Sequence, residues 1–208
     1  MPDLQGALGF SLHTGWAAVV AIIRGGDGIE AVFRRRMDLM PVPDSDSRFV
    51  YHRAAEVSLE EAAVLVQEAR AVIRDAARRA IREMLASAKL EIRAAGVPAA
   101  MRALPKDLSK ILASHALIHA AEGQLFRDAV LEGCRSNGVA AVCVGTRELW
   151  PKAAEVSGIE EVRLRGIVNA MGKTIGPPWT ADQKIATAAG LVALMRLNPH
   201  FLIRGHRS

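Results

Sequence analysis

Apolar and polar positions follow two rhythms along the chain. Ala7–Leu12 and Trp16–Arg24 are predominantly apolar and read as strands. Ile29–Leu39 sets Phe33, Arg35 and Met37 against Arg34, Arg36 and Asp38, the period of two of a half-exposed strand. The turn GGDG at 25–28 supplies residues that tolerate positive φ, so these strands pair antiparallel.

After the loop PVPDSDS (41–47) the rhythm changes to 3.6. Ser58 and Glu61 form a capping box, and Val66, Ala69, Ile73, Ala76, Ala77, Ala80 and Met84 make an apolar helical stripe. Arginines around that helix are interleaved with Glu68, Asp75 and Glu83, which marks a solvated face. KLEIRAAGVPAA (89–100) is a strand or extended segment. A single helix is expected from Asp107 to about Ser136, ended by Asn137-Gly138. VAAVCV (139–144) has the character of a buried strand. Three helical pieces follow: one holding Glu148 and Trp150, one opened by Ser157 and Glu160, and one opened by Thr180 and Gln183.

This order, β-β-β-α-β-α-β-α with an added helix near the end, predicts an α/β fold. Its mixed five-stranded sheet has three antiparallel strands, then alternating helix and strand, with flanking helices. It is the order of ribonuclease H-like folds, and residues 1–208 fit a single such domain.

Lys and Arg exceed Asp and Glu by 27 to 22, giving a net charge of +5. The excess suits a phosphate-bearing partner and equally suits simple solubility. Cys134 and Cys143 have no metal or disulfide spacing and are expected to be free, buried thiols. The N-terminus shows no leader pattern. WAAVVAII (16–23) falls well short of the ~20 residues that span a bilayer. The expectation is a cytoplasmic protein with no membrane association.

Candidate chemistry centres on ASHALIHAAEGQLF (113–126). At about 100° per residue, His115, His119 and Glu122 fall within about 60° of one another, inside the apolar stripe. That predicts three inward polar residues. Left unpaired, each would cost on the order of 1–3 kcal/mol. They form either a satisfied polar pin or the floor of a cleft. His115 and His119 at i and i+4 are a workable pair of metal ligands, so a divalent metal is admitted without an identity. Gly123, inside this helix, suggests a close neighbour. GKT (172–174) is not a phosphate-binding loop: the required earlier glycine is Ile167, and Gly172 instead suits the C-terminal cap of its helix.

LGFSLHTGWAAVVAI resembles the opening of ribonuclease H-like proteins related to Holliday-junction resolvases. TGWAA (14–18), the helix around His119–Arg127 and the segment Trp179–Lys184 resemble an uncharacterised bacterial family with this fold. The resemblance implies a cleft at the turn after the first strand, so that His13 faces Glu122 or Asp182. It also implies carboxylates for two divalent cations, and here the sequence departs. Ser11 stands where the first acid belongs, with His13 beyond it, and no acid ends the fourth strand. Asp182 alone matches, and hard cations need several oxygen ligands.

The first functional expectation is a nucleic-acid- or nucleotide-associated ribonuclease H-like protein without standard two-metal nuclease activity. The alternatives are a hydrolase with an acid–base or single-metal site, and a non-catalytic structural or regulatory module that could form a homodimer. The catalytic candidates are His13, His119, Glu122 and Asp182. The binding candidates are Thr14, His115, Lys184, Arg34 and Arg36; the three arginines at 34–36 read either as a phosphate hook or as a solvated edge strand.

Overall fold

The computed structural model describes residues 5–25, 28–40, 47–88, 90–100 and 103–197. Its sheet is built from β1 (Gln5–His13), β2 (Trp16–Gly25), β3 (Gly28–Asp38), β4 (Glu91–Ala99) and β5 (Ala140–Gly145). The spatial order is β3-β2-β1-β4-β5. β2 pairs antiparallel with both β1 and β3. β4 runs parallel to both β1 and β5. This is the expected mixed five-stranded sheet flanked by helices.

The helices are α1 (Val50–Ala54), α2 (Leu59–Ser87), α3 (Leu108–Leu112), α4 (His115–Ser136), α5 (Leu149–Ser157), α6 (Glu161–Ile175) and α7 (Ala181–Leu197). Successive strand residues point to opposite faces, which divides the core in two. Leu8, Phe10 and Val19 pack with α1, α2 and α4. Ala7, Val20 and Ile22 pack with α5, α6 and α7. Being covered on both sides, β1 and β2 are apolar along most of their length, with Ser11 and His13 at the end of β1.

The helix α7 comes to backbone contact with the sheet at two glycines. A Cβ on Gly9 would collide with the Ala186 carbonyl, and one on Gly96 with the Ala189 carbonyl. Gly190 meets Gly9 from the helix side. Ala186, Ala188, Ala189, Leu191 and Val192 are fully buried, so α7 is apolar around most of its circumference.

Several expectations need correction. The helix expected from Asp107 is broken at Ala113–Ser114 into α3 and α4. The short α1, just before the capping box, was not anticipated. β5 is an edge strand with a half-open face, which leaves Cys143 exposed while Cys134 is buried. Ser157 closes α5 rather than capping α6; the Glu160 carboxylate caps α6 by accepting from the Val162 and Arg163 N–H groups. Gly172 lies within α6, where the Trp179 indole covers it, and the helix ends at Gly176 with φ +78. Gly123 has open space where a Cβ would sit. The hairpin tip (26–27), most of the 41–47 loop and Lys89 lie outside the described residues, although Gly25 does pair with Gly28.

Other details agree. The Ser58–Glu61 capping box is complete. Arg74, Arg78 and Arg79 of α2 are exposed and paired with Glu132 and Asp75. β3 is an edge strand carrying Arg34–Arg36. No helix among the described residues is long and apolar enough to cross a membrane.

Candidate functional site

A cleft of about 390 Å³ opens at the carboxyl ends of the parallel strands β1, β4 and β5. Crevices at such strand ends are where open α/β sheets bind ligands. Ser11, His13, His119, Arg127, Thr146 and Asp182 are among its lining residues. β1 delivers Ser11 and His13 at its last turn of pleat, both on one face by the period of two. α7 delivers Asp182 in its first turn. There the Thr180 N–H donates to Gln183 Oε1 at 2.8 Å, and the Asp182 N–H donates to Thr180 Oγ1 at 3.3 Å.

These residues meet on one oxygen. Ser11 Oγ donates to Asp182 Oδ1 at 3.0 Å, and His13 Nε2 lies 2.8 Å from the same atom. His13 therefore faces Asp182, one of the two partners expected for it. Glu122 does not line the cleft. Among the described residues, Asp182 is the only carboxylate lining the cleft, and β4 leaves through Pro98 and Ala100 without an acid. That donor set does not fit a pair of hard divalent cations, each of which takes six or more oxygens.

A stack extends from the cleft wall. The β1–β2 hairpin places His13 opposite Trp16, their rings 4.2 Å apart and 6° from parallel. The Arg36 guanidinium lies 4.1 Å over the Trp16 ring and also donates to Asp38. Arg34 is committed elsewhere, donating to the Gly176 carbonyl at 3.2 Å. Thr14 is half-buried in the hairpin turn, where Gly15 takes φ +88. Lys184 is half-buried one residue pair beyond Asp182 and does not line the cleft.

On the α1–α4 side the inward reading of the three polar residues holds for Glu122 alone. It is 3% exposed, whereas His115 and His119 are exposed. They stand at the start of α4, exposed although Ile118 between them is buried, while Glu122 lies further along the helix, bonded to α1. Its Oε1 accepts from the Tyr51 N–H at 2.7 Å and the His52 N–H at 3.3 Å, and lies 3.4 Å from His52 Nδ1. Burial pushes the Glu122 carboxyl above its ordinary value, and the bonds from Tyr51 and His52 oppose that rise.

His52, which the sequence pattern does not single out, completes a group with His115 and His119. The His115 and His119 Nε2 atoms are 2.9 Å apart, and the His52 ring centroid lies 5.6 and 4.8 Å from theirs. The sole sequence signal is a histidine within the apolar FVYHRA (49–54), where a five-residue helix is too short for periodicity to reveal.

The fold has counterparts among solved structures. Thermus thermophilus RuvC in complex with Holliday junction substrate is similar over 94% of this chain and 96% of that one, with 12% identity and a TM-score of 0.50. A second T. thermophilus RuvC structure matches over 92% and 95%, at 12% identity and a TM-score of 0.48. No family model and no curated protein matches the sequence. The chain thus has a ribonuclease H-like fold, the fold of RuvC resolvases.

Proposed function

We propose that this chain is a nucleic-acid-binding ribonuclease H-like protein whose cleft receives a phosphate-bearing strand without two-metal hydrolysis. The observation that carries the reading is the cleft itself. It lies at the carboxyl ends of the parallel strands, with Arg127 in its lining and the His13–Trp16–Arg36 stack extending from its wall. Cations and flat rings along one groove are what a nucleic-acid backbone and its bases engage. The structurally similar RuvC is seen with a Holliday junction, and the net charge of +5 favours polyanions. A single carboxylate among the cleft's described lining residues supports the second half of the reading. The whole chain, 1–208, acts in it as one domain.

The test is fluorescence anisotropy with single-stranded DNA and a four-way junction over a salt series. Affinity should fall steeply with salt. The Arg36→Ala/Arg127→Ala double variant should flatten the log–log slope by roughly 0.7–0.9 for each phosphate it no longer neutralises. Absence of binding at low salt would sink the proposal. Junction cleavage in magnesium would overturn its non-hydrolytic half.

A further inference from the structure

Outside the Asp182 pair, the densest collection of potential ligand atoms among the described residues is the group His52, His115 and His119. Each offers one ring nitrogen, and the three nitrogens lie within 4.8 Å of one another. A tetrahedral zinc ion holds imidazole nitrogens at about 2.0–2.1 Å, so its ligand atoms stand roughly 3.4 Å apart. The observed spacing brackets that value, and the 2.9 Å between His115 and His119 need open by only a few tenths of an ångström. Two of the ligands stand one helical turn apart on α4, and the third comes from a different helix.

The surroundings favour a cation over a bare cluster. Metal-bound histidines commonly have their second ring nitrogen held by a carboxylate, which fixes the ring and raises its basicity. His52 has that arrangement: Nδ1 faces Glu122 Oε1, which leaves Nε2 for a metal. Glu122 is itself buried, and its Oε2 has no hydrogen-bond partner among the described residues. Three imidazoles this close repel one another once protonated, and a single divalent ion replaces that repulsion with attraction.

We infer that His52, His115 and His119 form a three-histidine site for one borderline divalent transition metal, zinc above all, with Glu122 orienting His52. Imidazole ligands select zinc, cobalt, nickel or copper over magnesium and calcium. Three protein ligands leave a fourth position open, the pattern of sites that bind water or a small ligand rather than closed structural sites. Because His119 also lines the cleft, the ion sits beside it. The site differs in position and donor chemistry from the Asp182 end of the cleft and does not depend on nucleic-acid binding.

Untagged full-length protein, stripped with chelator, is titrated with Zn²⁺ by calorimetry and with Co²⁺ by visible absorption. The expected result is one ion per chain and the intense d–d bands of four-coordinate Co²⁺. His52→Ala, His115→Ala and His119→Ala should each weaken binding at least tenfold. Glu122→Gln should weaken it roughly 10–100-fold. His13→Ala should leave it unchanged. In the wild-type protein, Zn²⁺ should shift the imidazole nitrogen resonances of three histidines, a readout independent of any variant's folding. No binding at tens of micromolar, affinity that survives loss of His52 or His119, or zinc shifts confined to other histidines would overturn the assignment.

Discussion

Asp182 Oδ1 and His13 Nε2 lie 2.8 Å apart although 169 residues separate them in sequence. One belongs to the first turn of the last described helix and the other to the end of the first strand. Asp182→Asn keeps the side-chain shape and removes the negative charge facing the cleft. If a phosphate-bearing strand enters there, affinity for single-stranded DNA should rise by about 1 kcal/mol, roughly fivefold, at low salt. The gain should shrink as salt is added. Anisotropy measures both, and an unchanged or weaker affinity would place the bound strand elsewhere.

Two glycine substitutions should have opposite signs. Gly96→Ala drives a methyl group into the Ala189 carbonyl, which no rotamer change relieves. Overpacking of this kind destabilises by about 3 kcal/mol or more. Gly123→Ala fills open space within α4 and should stabilise by about 1 kcal/mol through helix propensity. Denaturant midpoints decide both. Equal effects at the two sites would refute the seated arrangement of α7.

The Glu160 cap of α6 sets a pH dependence. Its two hydrogen bonds from the Val162 and Arg163 N–H groups hold its carboxyl below the ordinary value. A folded-state value lowered in this way stabilises the protein above the unfolded value of about 4.3 and loses that contribution as pH falls through the lowered one. Glu160→Gln should therefore be less stable than wild type near neutrality, and the gap should close in acid. Unfolding midpoints between pH 7 and pH 2 should show this convergence. A constant gap would mean that ionisation of the cap is irrelevant.

The two thiols should separate cleanly. Burial pushes Cys134 up to about 12, while Cys143 on the edge strand is exposed, its thiol raised more moderately by partial burial. A thiol-reactive chromophore should titrate one cysteine in the native protein and two after denaturation. Cys143→Ser should abolish the native reaction. Rapid labelling of both thiols in the folded protein would contradict the placement of Cys134.

The sheet was legible because burial on both faces writes itself into β1 and β2 as unbroken apolar runs, while β3 alternates. The pairing of His13 with Asp182 followed from the resemblance and not from the pattern, since no local periodicity links positions so far apart. The direction of His115 and His119 was misread because helical angles assume a helix buried along its whole length. The break at Ser114 places them at the start of α4, where both are exposed although Ile118 between them is buried. His52 escaped because a single short turn leaves no periodic trace. The burial expected of Cys143 failed for a related reason: an apolar composition cannot distinguish a central strand from an edge strand.

The glycine-lined seam between α7 and the sheet also fixes what kind of site this is. With carbonyls seated in notches at Gly9 and Gly96, α7 is held at backbone contact with β1 and β4. The alignment of Asp182 with Ser11 and His13 is thus a property of the frame. Under the proposed reading, an arriving strand would meet donors already in place and would spend little binding free energy on assembling them. On that reading, rim residues could be exchanged to alter what the cleft takes while the scaffold beneath stays in register.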